Sequence, residues 1–169
     1  MAAYGSGMLA QGVVVMAILS IYTLFSAGFC NGQDIAHYLI PHNEERQRTG
    51  VPDLLWDDGV ASYSRWWANH QRNFENCAMR HSNGPYGENL FWGSGKAWTP
   101  GDAVSSWVDE KQHYSYSANA CAGMCGHYTQ VVWRNTRKLG CTSVTCDNGN
   151  TLIICNYDPP GNYIGQRPF

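Results

Sequence analysis

Gly126-His127-Tyr128-Thr129-Gln130-Val131-Val132-Trp133-Arg134-Asn135-Thr136 and Leu152-Ile153-Ile154-Cys155-Asn156-Tyr157-Asp158-Pro159-Pro160-Gly161-Asn162-Tyr163 carry most of the information in this chain of 169 residues. The second run opens as a strand over Thr151 to Tyr157, and two consecutive prolines with a following glycine then end any sheet ladder. Upstream, Leu139 to Cys146 reads as its partner, joined through Asp147-Asn148-Gly149-Asn150, because Asn-Gly between two β-rich runs is a hairpin signal. In the first run Val131, Val132 and Trp133 are expected in the core, whereas Tyr128, Thr129 and Gln130 read either as a binding surface or as packing. Asn156 and Asn162 are expected to hydrogen-bond turn backbone.

Upstream of these runs the pattern is helical. Asp34 to Thr49 places Ile35, Tyr38 and Leu39 on one side and stops at Gly50-Val51-Pro52; Pro41 implies a kink or a helix that restarts with proline in its first turn. Asp57 reads as the cap of a second helix to about Arg72, with Val60, Tyr63, Ser64, Trp67 and Gln71 at the helical period. Thr99-Pro100-Gly101-Asp102 starts a third, to about Lys111, with a capping threonine, a first-turn proline and an acid three residues on. Between the last two, Asn83 to Gly95 is rich in glycine and aromatics and breaks into turns and short strands. Helices segregated from antiparallel strands indicate an α+β fold.

The first 32 residues contain no charged residue and no histidine, and Val13 to Phe29 is nearly all apolar. This is the pattern of a secretory leader, although its positive start is missing and its length also reaches the lower limit for an uncleaved anchor. Cys30 and Gly32 suit a cut between Gly32 and Gln33, while Ser26 and Gly28 suit one before Phe29; the former is preferred. Removing 32 of the 169 residues leaves 137, one domain's worth, numbered 33–169. Charged residues make up 14% of the chain against about 25% in ordinary domains, so burial of aromatics and crosslinks must hold the fold. A net charge of −2 without a basic cluster argues against nucleic acid as a partner. Six cysteines, Cys77, Cys121, Cys125, Cys141, Cys146 and Cys155, remain after the leader, and an even set in a secreted chain implies three disulfides in any of fifteen pairings.

Both opening runs resemble the signature motifs of the CAP superfamily, the cysteine-rich secretory, antigen 5 and pathogenesis-related 1 proteins. The ending Asn162-Tyr163-Ile164-Gly165-Gln166-Arg167-Pro168-Phe169 is similar to that of the plant pathogenesis-related class 1 group. The resemblance covers the chain from about Gln33 and implies a three-layer α-β-α sandwich. It selects the pairs Cys77–Cys146, Cys121–Cys125 and Cys141–Cys155. On a chain-entropy argument the first would stabilise by roughly 4 kcal/mol and the second by about 2 kcal/mol.

Carried over residue by residue, the resemblance places the family's two histidines and two glutamates at His42, Glu88, Glu110 and His127. Such a set can ligate zinc through neutral imidazoles, with acids as weak ligands or as partners fixing the ring tautomers. Without metal it is a hydrogen-bonded polar network lining a cleft, and no cofactor is then required. The segment from Trp107 to Asn119 is similar to the family's aromatic loop associated with sterol binding, which makes Trp107, Tyr114 and Tyr116 the candidate lipid contacts. The junction Asp158-Pro159 resembles the point where a defence-signalling peptide is thought to be cut, so residues 159–169 form a candidate releasable tail.

Hydrolytic chemistry lacks local support. No pair of histidines four apart encloses a glutamate, no Gly-x-Ser-x-Gly turn occurs, and bridged cysteines are not nucleophiles. His81-Ser82 reads as a structural segment, and His37, His70 and His113 as surface residues. The resulting expectation is a monomeric defence protein, secreted to the apoplast or held in the vacuole. It would bind microbial membrane sterols or other lipids, with a receptor for its released peptide. An extracellular metal-dependent hydrolase built on the His/Glu cleft is the alternative.

Overall fold

A computed structural model describes residue 1 and residues 31–169, with side chains described from residue 35 onward. The expected leader lies almost entirely outside the described residues. Residues 34–169 form one compact unit. Its elements in chain order are α1 (Asn31–Arg48), β1 (Leu55–Trp56), α2 (Asp58–Phe74), β2 (Gly87–Gly93) and α3 (Pro100–Asp109). A 3-10 turn (Glu110–His113), β3 (Tyr114–Ser115), β4 (Ala120–Cys121), α4 (Gly126–Val131), β5 (Lys138–Thr145) and β6 (Thr151–Asp158) complete it.

The capping chemistry appears as the sequence implies. The Asp57 carboxylate accepts from the Val60 amide at the start of α2, and Thr99 and Asp102 form a reciprocal capping box at the start of α3. Gly50 closes α1 in the left-handed conformation, φ +69°, that a side chain would disfavour. Three details differ from expectation. The first helix runs continuously through Pro41 instead of restarting there. The third ends at Asp109 and tightens into the 3-10 turn. The glycine-rich stretch yields a seven-residue strand, β2, because the whole of it finds a partner in β6.

The four-stranded sheet has the order β1-β5-β6-β2, with β1 parallel to β5 and the other neighbours antiparallel. Its two faces follow from strand alternation. Leu139, Cys141, Ile153, Cys155 and Tyr157 face a core shared with Tyr38 of α1, Trp107 of α3 and Val131 of α4. Leu152 and Ile154 face the other way, onto a core that includes Ala68 of α2. Helices therefore cover both faces, giving the expected three layers. All three expected disulfides are present: Cys77–Cys146, Cys121–Cys125 and Cys141–Cys155. The last links facing residues of β5 and β6, and the second ties β4 to the start of α4.

Candidate functional site

Glu88 stands near the start of β2, an edge strand, and its carboxylate is well supplied with donors. His81 Nδ1 lies 2.9 Å and the Ser82 amide 2.9 Å from Oε1, and Asn156 Nδ2 donates to Oε2 at 3.1 Å. Burial acts to raise the Glu88 pKa, but these hydrogen bonds outweigh it and leave it lowered, so the carboxylate is ionised at neutral pH. Asn156 thus serves Glu88 and Ser64 from inside the sheet and not only turn backbone, a correction to the expectation above.

Glu110, just past α3, makes the second acid–imidazole pair. Its Oε1 is 2.6 Å from His127 Nδ1, while Oε2 accepts from the backbone amides of His127 and Tyr128 at 3.0 and 3.3 Å. One carboxylate thereby caps the N-terminus of α4 and orients the His127 ring, whose other nitrogen is left for a third group. His81, Glu88, Asn89, Met124, Gly126, His127 and Asn162 line one cleft of about 250 Å³. Glu110 supports it from behind His127.

His42 does not take part. Its side chain is fully buried, with Nδ1 2.7 Å from the Tyr38 carbonyl and Nε2 2.8 Å from the Tyr157 hydroxyl. A consistent proton count makes Nδ1–H the donor to Tyr38 and Nε2 the acceptor from Tyr157, whose oxygen in turn accepts from Asn89 Nδ2 at 3.1 Å. Both ring nitrogens are spent inside the fold, which rules His42 out as a cleft ligand. The histidine that meets Glu88 is His81, expected from the sequence to be a structural residue. Its signal was weak: a polar pair seven residues before Glu88, across a turn that brings the two together. Among the described residues, no three His, Cys, Asp or Glu side chains gather closely enough to hold a metal ion. Of the four residues expected to share zinc, Glu88 and His127 line the cleft and Glu110 stands behind His127, while His42 lies apart in the core.

Arg46 belongs to no motif in the sequence. Fully buried, it donates to the carbonyls of Pro52, Val131, Trp133 and Thr136 at 2.7 to 3.0 Å. It pins the end of the first signature run to α1. The two signature runs also bind each other: the Gly161 amide donates to Gln130 Oε1 at 2.9 Å, and Thr129 Oγ1 to Asn162 Oδ1 at 2.7 Å. Tyr128, Val131, Val132 and Trp133 are buried, as expected for packing.

The aromatic loop is partly as expected. Trp107 is only 2% exposed and donates to the Leu90 carbonyl, so it belongs to the core and cannot touch a ligand. Tyr114 is half-buried, with its hydroxyl on Asn119, whereas Tyr116 is 50% exposed. The tail returns to this loop instead of leaving the surface after Tyr157: Phe169 stacks on Tyr116 at 5.1 Å and meets Tyr114 at 6.1 Å, and Arg167 lies over the Tyr116 ring. Buried Pro168 accepts from the Arg134 amide, and Ile164 stands fully in solvent. Between loop and tail lies a cleft of about 310 Å³ whose walls include Tyr114, Trp133, Tyr163, Ile164 and Pro168.

Residues 39–157 match the cysteine-rich secretory protein family, CAP. The chain belongs to the CAP family. Within it, the chain is a plant pathogenesis-related protein, 58% identical over 135 residues to the pathogenesis-related protein PR-1 of Medicago truncatula (78% of this chain and 77% of that one). It is 48% identical over 157 residues to a pathogenesis-related protein 1 of Arabidopsis thaliana (93% and 94%). Among solved CAP structures, Schistosoma mansoni venom allergen-like protein 4 superposes at a TM-score of 0.64 with 26% identity, covering 82% of this chain and 94% of that one. MpPR-1i superposes at 0.61 with 23% identity, covering 80% and 94%, a likeness of fold alone.

Proposed function

We propose that this CAP protein is secreted and acts in plant defence by binding a flat apolar ligand, a sterol of fungal or oomycete membranes, in the cleft between the aromatic loop and the C-terminal tail. The observation that carries this reading is the 310 Å³ cleft itself, which has the size of a small-ligand site and is walled by Tyr114, Trp133, Tyr163 and Ile164. Rings and an aliphatic side chain supply the apolar walls, and the Asn119 and Gln166 groups at its rim supply polar contacts for a hydroxyl. Secretion is supported by three disulfides, which persist in oxidising compartments.

Release of residues 159–169 as a signalling peptide belongs to the same reading, with an added requirement. Asp158 still pairs with Lys138 in the sheet, and the tail is held by Gln130, Thr129 and Arg134. A protease cutting between Asp158 and Pro159 must first detach it. The second reading, an extracellular hydrolase, rests on the His81–Glu88 and His127–Glu110 pairs facing one cleft. Titrating the mature protein with a labelled sterol, with and without chelator, separates the two. A binding protein takes up sterol stoichiometrically whether or not chelator is present, and Ile164→Asp weakens it. Metal-dependent product formation lost in His81→Ala, without sterol uptake, would establish the hydrolase.

A further inference from the structure

The three disulfides differ in how readily a dissolved reductant can reach them. Cys77, Cys146, Cys141 and Cys155 are each 4% exposed or less and lie in the two cores. Of the six bridged cysteines Cys121 alone is exposed, while its partner Cys125 is buried. Thiol exchange begins when a thiolate reaches one sulfur, so access sets this bridge apart from the other two. Loop length sets it apart again. Cys121–Cys125 spans 4 residues, against 14 and 69 for the others, so opening it returns the least entropy to the unfolded chain and removes the least stability.

The same bridge stands between the two clefts. Tyr114, Cys121 and Gly126 help to wall the one between loop and tail, and Met124, Gly126 and His127 help to wall the other. On one side of the bridge is β4, paired through two residues with β3, which sets Cys121 opposite Tyr114. On the other side Cys125 immediately precedes α4. Ala122, Gly123 and Met124 between them are exposed, and the Ala122 amide donates to the His113 carbonyl at 2.8 Å. A ladder of two residues per strand is marginal in water without further support. Tyr116 and Asn119 are held independently of the bridge, by Phe169 and by the Gln166 carbonyl of the tail. The segment that depends on the bridge is therefore residues 120–126.

From this placement we propose that Cys121–Cys125 is a thiol-responsive clasp. A low-molecular-weight thiol of the glutathione class opens it while the other two bridges and the fold persist, and the freed segment loosens the wall shared by both clefts. A thiolate attacks Cys121 Sγ, the sulfur–sulfur bond breaks, and Cys125 leaves with the electron pair and takes up a proton. A second thiolate attacks the reductant's sulfur in the mixed disulfide, releasing Cys121 as a thiol. Two electrons and two protons enter the protein, and two reductant thiols become one disulfide. Weaker sterol uptake by the open form rests on the reading of the loop–tail cleft as a ligand site; selective opening does not.

The test incubates the full mature chain with increasing reduced glutathione, traps free thiols by alkylation and maps them by mass spectrometry. Cys121 and Cys125 should be alkylated together, at concentrations that leave the other four cysteines unlabelled and the far-ultraviolet circular dichroism unchanged. Hydrogen exchange should then quicken in residues 120–126 and not in β5 or β6. The Cys121→Ser/Cys125→Ser double variant should show the same quickening without thiol, and should hold labelled sterol roughly three- to ten-fold more weakly through loss of a pre-set wall. Alkylation of another bridge before or alongside this one overturns the proposal, as does a bridge that glutathione never opens, or opening that leaves exchange in residues 120–126 unchanged. Equal sterol binding by bridged and open chains refutes control of the cleft. If the bridged chain binds no sterol, the ligand reading fails, while alkylation and exchange still decide the clasp.

Discussion

Burial holds the His42 imidazole neutral, its pKa lowered to about 4, with the Tyr38 carbonyl opposing that shift and Arg46 adding to it. The unfolded chain takes up a proton at its ordinary value of 6.5, which the fold excludes until about pH 4. Stability from this group is thus complete above about pH 6.5 and is lost as pH falls towards 4, by up to about 1.4 kcal/mol per pH unit. Urea denaturation at pH 7 and pH 4.5 should show that slope, and His42→Gln should flatten it. Arg46 gives the second prediction at this scale. Arg46→Met leaves the carbonyls of Pro52, Val131, Trp133 and Thr136 without their donor, and the urea midpoint should fall by about 3 kcal/mol or more in free-energy terms. Arg46→Lys should rescue little, because an ammonium cannot reproduce the guanidinium fork.

Between elements, the tightest approach is α2 against β5. A Cβ on Gly140 would fall 2.0 Å from the Ala61 amide nitrogen and 2.4 Å from the Val60 carbonyl carbon, both backbone atoms that cannot swing aside. Gly140→Ala is therefore expected to push α2 off the sheet and cost about 1–3 kcal/mol or more, read as a lowered melting temperature. Elements with local chemistry were legible in the sequence: the Asp57 and Thr99 caps, the Asn-Gly hairpin and the Gly50 stop all depend on neighbours a few residues away. The two-residue β1 and the six-residue α4 carry too few residues to show a period, and β2 owes its length to β6, a strand far along the chain. The same distinction explains the site. Glu88, Glu110 and His127 could be placed by motif, but whether His42 or His81 joins them depends on a hydroxyl from Tyr157, 115 residues away from His42.

At the scale of the molecule, covalent links and the tail decide what is held and what is offered. The Cys77–Cys146 bridge closes a span of 69 residues, against 4 for Cys121–Cys125. Replacing both Cys77 and Cys146 by serine should cost about 2–5 kcal/mol, and more than the same change at the short loop. The tail folds back over Tyr114 and Tyr116 and leaves Ile164 exposed at the mouth of the cleft between loop and tail. Sterol binding in that cleft is the central claim, and photolabelling the mature protein with a photoactivatable sterol, followed by peptide mapping, tests it most directly. Label on the peptides carrying Tyr114 to Tyr116 and Tyr163 to Ile164, competed by unlabelled sterol, is the expected result; competed label confined to other peptides, or none that sterol competes away, would contradict it.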